Sequence, residues 1–228
     1  LTATGNAAIQ TGFGPLVPGF VRIPVNDIGA LDRTIQDHPN IVAILAEPVQ
    51  GEGGVRRLED AFVHALRERC TTHNLLLMFD EVQSGNGRTG SYFAYQQLGF
   101  EPDVVTTAKG LGNGMPIGAC LAKNAAAKVL SAGNHGSTYG GNPLACAAAN
   151  AVVATIEEQA LASRAPIIRS LILDSMLSAL RNTNPIEAIT GQGLMIGLEM
   201  PEACPEIVTL AVKNQLLLNV TSSKVIRL

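Results

Sequence analysis

The sequence predicts an α/β protein: a mostly parallel sheet flanked by helices, followed by a smaller α+β region. Three observations carry this expectation. Short apolar runs recur along the first part of the chain, and between two of them lies a segment with helical spacing. The runs are continuous rather than alternating, as strands covered on both faces read. Beyond an Ala-rich stretch starting near residue 143, the pattern changes to helix, hairpin, helix and strand.

The elements follow in order. Strands are expected at "FVRIPV" (20–25), "IVAILA" (41–46), "LLLMF" (75–79), "DVVTTA" (103–108) and "IGACLA" (117–122). Between the second and third, "LEDAFVHALRERCTTH" places apolar residues at helical spacing. Glu59 and Asp60 at its start and Arg67 and Arg69 near its end suit the helix dipole, completing a β-α-β unit. An Asn-Pro turn opens the long Ala-rich helix at about residue 143. A second helix is expected over roughly 165–182, then two short strands around the Gly-rich turn of "IEAITGQGLMIGLEM", a helix over 205–215 and a final strand. This places a cofactor-binding large domain at 1–157 and a smaller C-terminal domain at 158–228.

With 228 residues, 46% of them hydrophobic and 15% charged, the chain can bury a substantial core. A net charge of −3 and the lack of any Lys/Arg run offer no electrostatic footprint for nucleic acid or an anionic membrane. No apolar run reaches membrane-spanning length. Cys70, Cys120, Cys146 and Cys204 are scattered without a C-x-x-C pair, and read as buried free thiols of a reducing, cytoplasmic compartment. The four histidines lack ligand spacing, so no metal site is expected. These exclusions leave small-molecule chemistry.

In open α/β sheets, ligands bind beyond the carboxyl ends of the strands. Three strands exit into charged, Gly-rich segments: "EPVQGEGG", "DEVQSGNGRTG" and "KGLGNG". Lys109 therefore meets acidic groups on one rim. A lysine desolvated in such a crevice forms a Schiff base with a carbonyl. "GLGNG" is neither G-x-G-x-x-G nor a P-loop, since its lysine precedes the glycines. Of Asp80 and Glu81, one must point to the crevice and the other away. A carboxylate held against a cationic nitrogen is what pyridoxal phosphate needs at its ring nitrogen.

"LAEPVQGEGGV", "LLLMFDEVQSGNGRTG", "DVVTTAKGLGNGMPIGA" and "HGSTYGGNPLA", in this order and spacing, resemble the class III, or ω-amino acid, aminotransferase family of fold-type I pyridoxal-phosphate enzymes. The resemblance covers essentially the whole chain. It implies that Lys109 carries pyridoxal 5'-phosphate and serves as the catalytic base. Asp80 would bind the ring nitrogen, Gln83 the ring's phenolic oxygen, and Val82 would pack on the ring face. Ser137 and Thr138 would reach the cofactor phosphate of a neighbouring subunit, which implies a homodimer with shared sites. Glu52 would pair with Arg227, masking the charge that otherwise grips a substrate carboxylate. Glu47 reads as a buried hydrogen-bonding residue, Arg88 as fixing a loop, Tyr139 and Asn142 as shaping the dimer contact, and Met78, Met115 and Met195 as core.

The implied reaction moves the δ-amino group of N-acetylornithine to 2-oxoglutarate, a step of arginine biosynthesis. Succinylornithine, ornithine and 4-aminobutyrate transaminases share every motif quoted. The reading from another class is a non-catalytic module keeping the fold for dimerisation. The chain starts at Leu1 without a methionine and stops inside "KVIRL", so it reads as a segment of a longer protein. The family's upstream phosphate cup, ring-stacking aromatic and His-Gly-Arg segment are expected before Leu1, and its Pro-Pro and last strands after Leu228.

Overall fold

The computed structural model describes residues 1–180 and 185–228. The chain divides into two compact units, Leu1–Ile41 and Val42–Leu228. The first holds a short helix α1 (Ala7–Gln10) and the helix α2 (Ile28–Asp37). Each starts on a side-chain cap: Asn6 accepts from the Ala8 N–H at 3.0 Å, and Asp27 from that of Ala30 at 2.8 Å. The strand expected at 20–25 is absent. Those residues carry no ladder pairing and Val25 lies in a turn; Phe20 and Val21 are about half exposed, and Pro24 has no N–H to donate. An apolar run predicts a strand only where a neighbour is present to pair with it.

The second unit starts with β1 (Ala43–Ala46), a hairpin of the two-residue strands β2 (Val49–Gln50) and β3 (Arg56–Arg57), and the helix α3 (Asp60–Thr72). The strands β4 (Leu76–Asp80), β5 (Val104–Thr107) and β6 (Ala119–Ala122) follow. They form one sheet in the order β1-β4-β5-β6, with β1, β4 and β5 parallel and β6 antiparallel. α3 buries Phe62, Val63, Leu66 and Cys70 and packs on β1 and β4, whose Leu77 and Phe79 are fully buried. Asp103 ties this layer together: its Oδ2 lies 3.0 Å from Arg67 of α3 and accepts the Leu77 N–H at 2.9 Å. β4 alternates between buried and half-buried residues, and all of β6 is exposed, so the continuous apolar runs are not covered evenly on both faces.

The helix α4 (Pro143–Glu158) starts where expected, with Pro143 at its first position and Asn142 accepting from the Ala145 N–H at 3.0 Å. Helix α5 (Leu161–Ala179) starts earlier than expected and contains Pro166; residues 181 and 182 of the expected helix lie outside the described residues. The remaining elements are β7 (Ala188–Gln192), β8 (Met195–Glu199), α6 (Glu206–Lys213), β9 (Asn219–Thr221) and β10 (Val225–Arg227). Their strands form an antiparallel sheet in the order β7-β8-β10-β9. Ile196, Leu198, Cys204 and Ile226 make its core, against which Ile172, Leu173 and Met176 of α5 pack. Arg169 of α5 donates to the carbonyls of Thr190, Gly193 and Met195 at 3.1–3.4 Å, and burial lowers its pKa.

Among the described residues the four cysteines are free. Cys70 and Cys204 are buried, and burial pushes the Cys70 thiol up to about 12. Cys146 is half-buried and Cys120, on β6, is exposed, which corrects the expectation that all four are buried.

Candidate active site

The site forms because β4 and β5 run parallel and then part. Their register ends at Asp80 opposite Thr106, and the Glu81 N–H reaches the Thr106 carbonyl at 2.9 Å. β4 then turns into the loop 82–92, while β5 turns at Lys109 into a single 3₁₀ turn, Lys109–Leu111. The crevice between them opens into a cavity of about 510 Å³, lined by Val82, Gln83, Asn86, Lys109, Glu52 and Arg227 among others.

The backbone conformation at this turn is unusual. Lys109 has φ +46°, in the left-handed region that costs a side-chain-bearing residue about 1–2 kcal/mol. Its amine is exposed and has no hydrogen bond or ion pair among the described residues. Gly112 explains part of the Gly-rich segment: a Cβ there would lie 2.0 Å from the Met115 carbonyl oxygen, so the turn closes only on glycine. Gly51 acts on the opposite wall, where a Cβ would sit 2.2 Å from Gln83 Oε1.

The structure separates the two adjacent carboxylates. Glu81 is fully buried, and its carboxylate accepts from the Ala94 N–H at 2.6 Å, the Tyr95 N–H at 2.9 Å and the Ser84 hydroxyl at 3.0 Å. It caps the 3₁₀ turn Ala94–Gln97, and desolvation raises its pKa despite these donors. Asp80 is half-buried and accepts from the Val82 N–H at 3.0 Å. It sits at the strand end beside the cavity but is not among the lining residues. Glu47, at the exit of β1, is half-buried rather than buried and accepts from the Gly51 N–H at 3.2 Å. Desolvation raises its pKa, the charges of Asp80 and Glu52 act the same way, and the Gly51 N–H and Lys109 oppose them.

The far wall comes from the antiparallel sheet. Arg227 Nη1 lies 2.6 Å from Glu52 Oε1, and its Nε donates to Asn219 Oδ1 at 2.9 Å. The Glu52 carbonyl also accepts the Thr221 hydroxyl. The two contacts to Glu52 join residues 169 and 175 positions apart in sequence. Leu194, Met195 and Leu217 add apolar wall; Met195 is 4% exposed and serves core and cavity together. Arg88 fixes its loop through its backbone, whose carbonyl accepts the Leu194 N–H at 2.8 Å, while its side chain lines the cavity.

Ser137 and Thr138 are exposed and lie outside this cavity, with Ser137 Oγ accepting from the Gly140 N–H at 2.9 Å. Tyr139 is 82% exposed, and its carbonyl accepts from Asn142. Two polar side chains of the lining, Asn86 and Asn219, escaped the sequence reading. Asn86 had a faint signal, being an Asn between glycines in a turn. Asn219 had none, because its partner Arg227 is met only across the β9/β10 pairing.

The fold is that of the fold-type I pyridoxal-phosphate enzymes, and the whole chain, residues 1–228, matches the model of the class III aminotransferases. The protein belongs to that family. Among particular proteins it is similar to the acetylornithine aminotransferases of Nitrosomonas europaea, at 48% identity, and Methanocaldococcus jannaschii, at 44%. It aligns with each over its full length but over only 58% and 56% of theirs. Among solved structures, an ornithine aminotransferase from Toxoplasma gondii superposes with a TM-score of 0.91 at 34% identity, over 99% of this chain and 54% of that one. The acetylornithine aminotransferase of Elizabethkingia anophelis gives 0.84 at 38%, over 96% and 56%. The chain thus spans little more than half the length of these relatives.

Class III aminotransferases depend on pyridoxal phosphate, and the Toxoplasma enzyme is described with partial occupancy of it at its active site. The residues present suit that group. An unpartnered primary amine, a carboxamide and a β-branched side chain line one cavity, with a half-buried carboxylate at the strand end beside it. The Gly51 position leaves the Gln83 carboxamide its space.

Proposed function

We propose that the whole protein to which this chain belongs is a pyridoxal-phosphate-dependent aminotransferase. It converts N-acetylornithine and 2-oxoglutarate to N-acetylglutamate semialdehyde and glutamate, in arginine biosynthesis in the cytoplasm. The observation that carries the reading is that Lys109, Gln83, Val82, Glu52 and Arg227 line one cavity. The 44–48% identity to acetylornithine aminotransferases supports the choice of donor.

The cofactor supplies an aldehyde that takes up the amino group and a ring that stores the electrons released when a C–H bond is broken. The residues of this chain do the rest. Lys109 would hold the cofactor covalently and, as a free amine, would serve as the base that carries a proton. Asp80 would keep a proton on the ring nitrogen, Gln83 would hydrogen-bond the phenolic oxygen, and Val82 would cover the ring face. Arg227 binds the α-carboxylate of 2-oxoglutarate or glutamate when Glu52 swings away. With Glu52 on it, its charge is masked, and the pocket takes the amine end of the δ-amino donor instead.

Ser137 and Thr138 lie on an exposed segment and serve the cofactor phosphate of a second copy, so the working unit is a homodimer with shared sites. The division into a large domain, 1–157, and a small domain, 158–228, belongs to the same reading. The superposition on an ornithine aminotransferase favours a second donor, free ornithine.

The test is spectroscopic. The full-length protein with pyridoxal phosphate gains the visible absorbance band of lysine-bound cofactor, and Lys109→Ala does not; a band that persists in the variant refutes the assignment. kcat/KM for N-acetylornithine, succinylornithine, ornithine and 4-aminobutyrate then ranks the donors.

A further inference from the structure

The last hydrogen bond between β4 and β5 is the one from the Glu81 N–H to the Thr106 carbonyl. Past it the β4 chain leaves, and Thr107 and Ala108 have no strand beside them on that side. Asn86 of the departing loop fills the gap. Its Nδ2 donates to Thr107 Oγ1 at 3.1 Å and to the Ala108 carbonyl at 3.2 Å, and its Oδ1 accepts the Tyr92 hydroxyl at 3.3 Å. The same Ala108 carbonyl accepts the Leu111 N–H at 2.9 Å, closing the turn that Lys109 opens.

Because a peptide unit is planar, fixing the Ala108 carbonyl fixes the amide nitrogen of Lys109 and the direction in which that residue leaves the strand. The direction matters here, since Lys109 adopts φ +46°. Asn86 itself has φ +55°, a conformation Asn tolerates better than most residues, and Gly110 leaves it room: a Cβ there would lie 3.3 Å from Asn86 Cβ. The carboxamide is itself oriented. The Ala108 carbonyl can only accept, which puts the amide nitrogen on that side and leaves the amide oxygen to take the Tyr92 hydroxyl proton. Thr107 is 3% exposed, so this contact is shielded from competing water.

We propose that Asn86 is a positioning residue for Lys109: its carboxamide, oriented by Tyr92, holds the Ala108–Lys109 peptide so that the lysine amine enters the cavity at a fixed angle. The inference rests on the reading of Lys109 as the cofactor-bearing lysine. A group that aims a nucleophile in this way changes how fast the amine captures an aldehyde, even where the fold is intact.

The experiment uses full-length protein freed of cofactor, as wild type, Asn86→Asp, Asn86→Ala and Tyr92→Phe. Pyridoxal phosphate is added and the visible band is followed in time. Borohydride then reduces the lysine–cofactor imine to a stable amine, and mass spectrometry of the Lys109 peptide measures the yield. Asn86→Asp keeps the shape and removes both N–H donors. It and Asn86→Ala are expected to slow band formation roughly tenfold to a hundredfold, and Tyr92→Phe severalfold, at temperatures well below each variant's unfolding midpoint. Wild-type rates in both Asn86 variants, with or without a lowered midpoint, overturn the proposal and leave Asn86 a structural residue. Absence of Lys109 labelling in the wild type instead overturns the reading of Lys109, and this inference with it.

Discussion

Two glutamates flank the cavity and are held in opposite ways. Glu81, just past β4, is fully buried, and both its oxygens are engaged by backbone N–H groups and a serine. Glu52, just past the β2 strand, has a side chain 66% exposed and is held by the single guanidinium of Arg227. The first fixes the rim from which Asp80 and Lys109 project. The second is a contact between two sheets, of the exposed kind worth about 0–1 kcal/mol. One wall of the site is therefore held rigidly, and on the other the Glu52 side chain can swing away at little cost.

The largest effect is expected at Lys109, the group the rigid wall presents: Lys109→Ala abolishes borohydride labelling and the visible band, while the cofactor-free unfolding midpoint stays near the wild-type value. Next is Glu81→Ala, which strands the Ala94 and Tyr95 N–H groups in the interior and costs about 2–4 kcal/mol in urea unfolding. A loss below about 0.5 kcal/mol would mean that the wall does not depend on this carboxylate.

Glu81 also gives a pH dependence. Its folded pKa is raised above 4.5, mainly by desolvation, so its contribution is full below the unfolded value and is lost as pH rises through the folded one. Glu81→Gln removes that slope, and the stability gap to wild type should narrow from acid towards neutral pH. A gap that widens over this range would reverse the assignment.

Glu52→Ala is expected to leave stability within about 0.5 kcal/mol. It should shift the ratio of kcat/KM for glutamate over the δ-amino donor by roughly tenfold towards glutamate, equivalent to about 1.4 kcal/mol. An unchanged ratio would remove Glu52 from the selection of substrates. Asn219→Ala, which frees one edge of the Arg227 guanidinium, should give the smallest change, a rise in KM for 2-oxoglutarate of roughly twofold to fivefold with kcat nearly constant.

Much of the rigid wall was legible in the sequence. The helix over 60–72 shows its buried face through spacing, and the strands ending at Asp80 and Thr107 show their exits as a switch from apolar to charged and Gly-rich residues. The same cue misread 20–25, where no strand lies alongside. Nor could it choose between Asp80 and Glu81. Alternation puts adjacent residues on opposite faces, but only the position of the Ala94–Gln97 turn makes Glu81 the buried one.

Local period and ordered motifs are properties of the chain alone, so the family, the strand exits and the identity of the charged groups can be read without the fold. The pairing of Glu52 with Arg227 was expected from the resemblance alone, and the folded chain adds what no motif gave: that Asn219 steadies Arg227 and that Asn86 takes the place of a departing strand beside Lys109. Such contacts depend on how strands and a loop come together in space, which no local pattern encodes.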